Sequence, residues 1–334
     1  MRVPQEMRLP HGLALLGAIA IFVGWFRYRH EVSVLRVFPA FTLILYTFYR
    51  GWAFHRLSAG GLTYDYYLLY ADRGYGFQPS LIIYRFVERF GLYPTISAVY
   101  GSLILCLGLC YAAQMGPGRK AWRVFAVLSL PVILGPLCYT LLPACGPIYF
   151  LGVDCYTGQS AATCANVTFT ALAQHRLDGI YPRNAMPSLH LAWALLIWWS
   201  SRDMKVARRF ALAFVYATAV ATMALGEHYL VDLVGAFPFA LAVWSLCMGD
   251  VPLYHPRRIL PLLGGCATLF GWIACVRYAP QLFAISPIVT WTASAAIVTC
   301  TLIVLSRCWP ASVQQRAPVA AILESRHATV GAGD

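Results

Sequence analysis

Two histidines and an aspartate stand in a strongly hydrophobic chain. His190 closes the stretch Tyr181-Pro-Arg-Asn-Ala-Met-Pro-Ser-Leu-His190, and His228 and Asp232 lie in Gly226-Glu-His-Tyr-Leu-Val-Asp232. Ionisable side chains at membrane depth are costly and mark functional sites. His228 and Asp232 are four residues apart, so a helix containing both would put them on one face. A carboxylate placed there accepts a hydrogen bond from one imidazole nitrogen, fixes the tautomer and leaves the other nitrogen free to attack. The bland alternative is a buried His–Asp pair that only knits helices together.

His190 falls in the first turn of a helix opened by Pro187 and Ser188, where free backbone amides and the helix dipole favour an anion. That position suits a proton donor to a leaving oxygen. Arg183, just before the helix, can hold a phosphate through two parallel hydrogen bonds, with Arg176 as a second cation. An attacking histidine, a proton donor, an orienting carboxylate and nearby cations make a set for phosphoryl transfer. Two histidines and an aspartate are also a metal-ligand set. The only further acid nearby, Glu227, would point elsewhere on a regular helix, so the expectation is a reaction without metal or other cofactor.

These residues need a scaffold, and composition names its class. Of 334 residues, 60% are hydrophobic and only 11% charged. Repeated continuous apolar runs of spanning length predict an all-α polytopic membrane protein, and their lack of alternation excludes a barrel. The net charge of +12 sits mostly in short loops and at helix ends, where it reads as topology and not as a nucleic-acid surface.

About nine transmembrane helices are expected, near 11–26, 32–48, 94–114, 122–142, 187–201, 210–226, 228–248, 259–277 and 286–306. Basic loops at 115–123, 202–209 and 255–258 should be cytoplasmic. The end of the fourth span, the start of the fifth and the junction of the sixth and seventh then converge on the extracytoplasmic face. Between the second and third spans, 51–93 is rich in Tyr, Gly and Arg. Within it, 80–91 reads as an amphipathic interfacial helix, an interfacial connector or a lid over a lipid groove. Residues 143–183 form the longest polar segment, with Cys145, Cys155 and Cys164, one pair of which suits a disulfide in an oxidising compartment. It also carries an Asn166-Val-Thr sequon. The cysteines within apolar runs, Cys106, Cys110, Cys247, Cys266, Cys275 and Cys300, read as small buried hydrophobes. The expected organisation is 1–93 N-terminal spans and connector, 94–250 a catalytic membrane domain, 251–310 C-terminal spans, and 311–334 a disordered cytoplasmic tail.

Met186-Pro-Ser-Leu-His190, followed by His228-Tyr-Leu-Val-Asp232, resembles the second and third motifs of the type 2 phosphatidic acid phosphatase superfamily, P-S-G-H and S-R-x5-H-x3-D. Leu189 replaces the motif glycine, Ala221-Thr222 replace Ser-Arg, and no K-x6-R-P stretch precedes the long loop. In its place stands Tyr139-Thr-Leu-Leu-Pro-Ala-Cys-Gly-Pro147. With Thr222-Met223 before His228, these departures resemble the branch of inositol phosphorylceramide synthases, an inositolphosphotransferase class of sphingolipid metabolism. The resemblance covers about 120–245. It implies a six-helix catalytic bundle, His228 as the nucleophile that forms a phosphohistidine, His190 as the acid and Asp232 as its support. With the motif Lys and Arg absent, Arg183 and then Arg176 are the expected phosphate clamp. Ser188, Tyr139, Gly146, Pro147 and Tyr149 are expected around the donor pocket.

The function expected is a membrane phosphotransferase moving a phospho-head group between lipids, with a phospholipid donor and a lipid or water acceptor. A lipid phosphate phosphatase is the alternative. A proton-coupled transporter fits less well, because the ionisable groups collect at one face and are not spread through the helices.

Overall fold

The computed structural model describes residues 9–45, 59–117, 119–152 and 174–308. Cys155, Cys164, the sequon at Asn166 and the tail from 311 lie outside them. In order, the elements are α1 (Leu9–Tyr28), α2 (Val34–Leu45, entered through a 3₁₀ turn), β1 (Ala59–Thr63), α3 (Asp65–Arg73), α4 (Pro79–Arg89), α5 (Tyr93–Gly101), α6 (Leu103–Ala112), α7 (Ala121–Leu141) and α8 (Pro147–Leu151). Then follow β2 (His175–Ile180), α9 (Leu189–Ser200), α10 (Lys205–Ala224), α11 (Leu230–Leu246), α12 (Pro256–Tyr278), a 3₁₀ turn (Pro280–Ala284) and α13 (Pro287–Cys308).

A helix stands at each of the nine apolar runs. Five are long and apolar enough to cross a membrane, and α5 with α6, bent by 42°, make a sixth. The others are shorter. α9 has 12 residues, about 18 Å of helix against a hydrocarbon core of about 30 Å. It can be short because it is enclosed: it packs against α6, α7, α10 and α11, and nearly every side chain is buried. α11 is likewise buried along almost its whole length, between α9, α12 and α13. These two helices form the axis of the bundle. The outer helices turn Val23, Ile133, Leu260 and Ile288 outward, as lipid-facing surfaces require. α1 approaches α6 closely because Gly17 faces Gly108; a Cβ on Gly108 would sit 2.6 Å from the Gly17 Cα.

The three basic loops meet at one end of the bundle. Arg123 and Arg202 both lie over the Trp244 ring, at 5.0 and 5.5 Å from its centroid, and Lys120 and Arg123 pair with Asp250. Arg258 donates to the carbonyls of Ser245 and Leu246 and so caps α11. α7, α9, α10 and α11 therefore carry their basic ends together, and the segments holding the two histidines come together at the opposite end.

α4 matches the expected amphipathic helix. Tyr84 and Val87 face the protein, where α4 lies against α10 and α5, while Ile82, Phe86 and Phe90 are exposed. No strand pairing was legible in the sequence, yet β1 pairs antiparallel with β2 and ties the segment before α3 to the chain leading into Arg183. Cys300 is exposed, not buried as its apolar run suggested, because its helix α13 lies on the outside of the bundle with few buried residues.

Candidate active site

Three segments far apart in the chain are stitched together by their backbones. The Ala185 amide donates to the Ala144 carbonyl at 3.0 Å, Ile148 to Gly226 at 2.9 Å, and Ser188 to Asp232 at 3.2 Å. These bonds join the turn after α7, the approach to α9 and the start of α11.

His228 Nδ1 lies 3.5 Å from Asp232 Oδ2, with 3% of the histidine side chain and none of the aspartate exposed. The pairing does not come from a shared helix face. α11 begins only at Leu230, so His228 precedes it and Asp232 sits in its first turn. The Tyr229 amide donates to Asp232 Oδ2 at 2.9 Å, so the same carboxylate caps the helix and meets the imidazole. Neither His228 Nδ1 nor Asp232 Oδ1 has a hydrogen-bond partner among the described residues. At 3.5 Å the contact is at the outer limit for a hydrogen bond.

His190 lies in the first turn of α9, as its motif predicted. Its ring is 6.4 Å from that of His228 between centroids, and it stacks on Tyr100 from α5 at 3.9 Å. The two imidazole rings are tilted by 59° to one another. Ser188 is buried, and its hydroxyl accepts from the Leu191 amide as the N-cap of α9.

The remaining expected residues divide. The Tyr139 hydroxyl reaches the Pro187 carbonyl at 3.5 Å, and the Tyr149 hydroxyl donates to Glu227 Oε1 at 2.9 Å, beside His228. Gly146 and Pro147 form the tight turn into α8. Gly146 has φ +112°, and a Cβ there would lie 2.4 Å from the Glu227 carbonyl oxygen, so only glycine lets this turn touch the loop that carries His228. The Arg183 guanidinium rests on β1, where a Cβ on Gly61 would come within 2.5 Å of Nη2. Arg176 is exposed on β2, opposite Leu62. Cys145 is buried with a free thiol. Among the described residues no group of three or more His, Cys, Asp or Glu side chains could hold a metal ion.

The motif departures have local explanations. Leu189 packs into the space left by Gly135 on α7, where a Cβ would sit 2.6 Å from its Cδ1. Thr222 is fully buried, and its hydroxyl donates back to the Ala219 carbonyl at 3.0 Å. No charge stands at either position.

Sequence reasoning missed two carboxylates, Asp65 and Asp72 on α3. Both are fully buried against the histidine segments. The available signal was acids in a stretch otherwise rich in Tyr and Leu, which is weak.

A family profile described as PAP2 superfamily matches residues 66–246. The match covers more than half of the chain and contains every motif segment and α3 from its second residue onward, so the chain belongs to the PAP2 superfamily. It is a multi-pass membrane protein of the phosphatase and phosphotransferase type that acts on lipids. Neither a curated protein nor a solved structure matches it.

Proposed function

We propose that the protein is a phospho-head-group transferase working through a phosphohistidine on His228. The observation that carries this is the buried His228–Asp232 contact with His190 facing it across 6.4 Å. Asp232 holds the Nδ1 proton, and Nε2 attacks phosphorus. The P–Nε2 bond forms as the P–O bond to the leaving alcohol breaks, and His190 gives that oxygen its proton. A second alcohol then transfers its proton to His190, attacks phosphorus and breaks the P–N bond, restoring both histidines. From a phosphodiester donor such as an inositol phospholipid, the first leaving group is diacylglycerol and the acceptor is a lipid hydroxyl.

Transfer requires that water be kept from the second step. The near-complete burial of His228 and the aromatic surround of Tyr100, Tyr149 and Tyr181 support that requirement. The uncharged Leu189 and Thr222 support departure from the hydrolytic pattern. Arg183, close to Cys145 and braced on Gly61, is the phosphate clamp. The clustering of basic loops at the far end supports an extracytoplasmic site, by the positive-inside rule.

The test is turnover of a panel of phospholipid donors by purified protein, with and without ceramide or diacylglycerol, resolved by mass spectrometry. A product containing the acceptor is expected from wild type and none from His228→Ala. Free phosphate as the sole product would make the protein a phosphatase, and undiminished turnover by His228→Ala would remove the phosphohistidine.

A further inference from the structure

The proposed chemistry uses His190, His228 and Asp232, but leaves two carboxylates at the same end of the bundle without a role. Asp65 and Asp72 are seven residues apart on α3, two turns along one face. Each is fully buried. A carboxyl group in such surroundings is costly unless its oxygens are bonded, so its partners reveal what it is for.

Those partners are the motif segments. Asp65 accepts from the Cys145 amide at 3.1 and 3.0 Å, from the Gly146 amide at 3.0 Å and from the Tyr229 hydroxyl at 3.0 Å. Asp72 Oδ1 accepts from the Val231 amide at 3.0 Å, and the Leu230 amide also bonds to this carboxyl group. The segment between His228 and Asp232 is therefore fastened at each residue. Tyr229 is held by Asp65, and Leu230 and Val231 by Asp72. The Val231 carbonyl, on the other side, accepts from Trp272 Nε1 at 2.9 Å. The same helix also fastens the turn at Cys145 and Gly146 that presses on Glu227.

We propose that Asp65 and Asp72 are positioning residues: α3 is a splint that sets the His228–Asp232 separation and aligns the nucleophile with His190. The activity part of this inference rests on the reading of His228 as the nucleophile; the structural part does not.

Gln78 Nε2 donates to Asp72 Oδ2 at 3.3 Å, while Gln78 Oε1 is buried with no partner. Burial, with the Asp232 carboxylate on α11 adding to it, pushes Asp72 up to about 8, against the pull of the Val231 and Leu230 amides. An asparagine at 72 keeps the Oδ1 acceptor for Val231, and its amide nitrogen can donate to Gln78 Oε1 once the Gln78 amide turns over. A neutral amide of the same shape therefore preserves the splint.

The experiment compares wild type, Asp72→Ala, Asp72→Asn and Tyr229→Phe as purified full chains. It measures amide hydrogen exchange of a peptide spanning 226–235, and kcat and KM for the lipid donor. Asp72→Ala is expected to speed exchange at 230–231 by at least about tenfold. It should lower kcat by about 10- to 100-fold with KM within about twofold. Asp72→Asn should restore both to near wild type. Tyr229→Phe removes the hydroxyl bond to Asp65 and leaves the Asp72 bonds in place, and it should lower kcat about threefold or more while melting only a few degrees lower, so it decides the matter if the alanine variant does not fold. Wild-type exchange and kcat in Asp72→Ala, damage in Asp72→Asn equal to that in the alanine variant, or wild-type kcat in Tyr229→Phe would each overturn the splint. If wild type turns over no phospholipid, the functional reading fails, and the exchange measurement still decides the structural claim.

Discussion

Replacing Gly146 by alanine tests whether the turn after α7 sets the position of the nucleophile. The added Cβ would lie 2.4 Å from the Glu227 carbonyl oxygen and 2.9 Å from its carbonyl carbon. A relaxed C···O approach is about 3.3 Å or more, so one backbone must retreat by about 1 Å. The turn cannot move freely, because Asp65 holds the Cys145 and Gly146 amides. The displacement therefore falls on Glu227 and on His228 beside it. A 1 Å misplacement of a reacting group costs about 100-fold in rate, and the backbone at φ +112°, ψ 154° adds about 1–3 kcal/mol of strain for a side chain. Gly146→Ala should lose about 100-fold in kcat and melt a few degrees lower, read by product formation with the best lipid donor and by thermal unfolding in detergent. Gly91→Ala is the control. It too has positive φ, +63°, but nothing lies within 4 Å of its Cβ, so it should lose stability and keep its rate. Activity of Gly146→Ala within threefold of wild type, or an equal rate loss in Gly91→Ala, would refute the reasoning.

Two further outcomes follow from the same geometry. Gly61→Ala should displace the Arg183 guanidinium, whose nitrogens would lie 2.5 and 2.7 Å from the new Cβ. KM for the donor should rise about tenfold, as for loss of one charge-assisted bond; an unchanged KM beside a raised one in Arg183→Ala would reject the brace. The acids of α3, which is no membrane span, also fix a pH dependence. Burial raises Asp65 to about 6 and Asp72 to about 8 from an ordinary 3.8. Between 3.8 and those values the folded chain holds protons that the unfolded chain has released, so stability falls as pH rises through this window. Wild type should lose melting temperature between about pH 6 and 8, where Asp72 titrates, and Asp72→Asn should flatten that decline; equal slopes would contradict it.

The candidate trio of His190, His228 and Asp232 was visible in the sequence because its residues are rare types in an apolar chain. Alternating loop charge then placed 144–147, 187–190 and 226–232 at one end, where backbone bonds now join them. The His228–Asp232 pairing was anticipated, but not its mechanism. Spacing of four suggested a common helix face, whereas the chain turns at Gly226, the helix starts at Leu230, and Asp232 reaches back to cap it. The role of α3 was not legible. Asp65 and Asp72 bind mainly main-chain amides 80 to 159 residues away, and an amide has no side-chain type to recognise. The β1–β2 pairing escaped for a related reason, since its short strands, AGGLT and HRLDGI, lack alternating apolar residues and lie more than a hundred residues apart. The bounds expected for the fifth span, 187–201, already made α9 short, but its enclosure by other helices was hidden, because hydropathy reports burial without distinguishing lipid from neighbouring helices.

The main-chain bonds among Ala144, Ala185, Ile148, Gly226, Ser188 and Asp232 have a consequence for how the protein can diversify. Such bonds do not depend on which side chains are present. The frame that faces one histidine towards the other is thus largely indifferent to the identities of Tyr139, Tyr149 and Tyr181 around it. Substrate preference and reaction geometry are separately adjustable: aromatic positions can be exchanged to admit another head group or acceptor while the nucleophile stays where the backbone puts it.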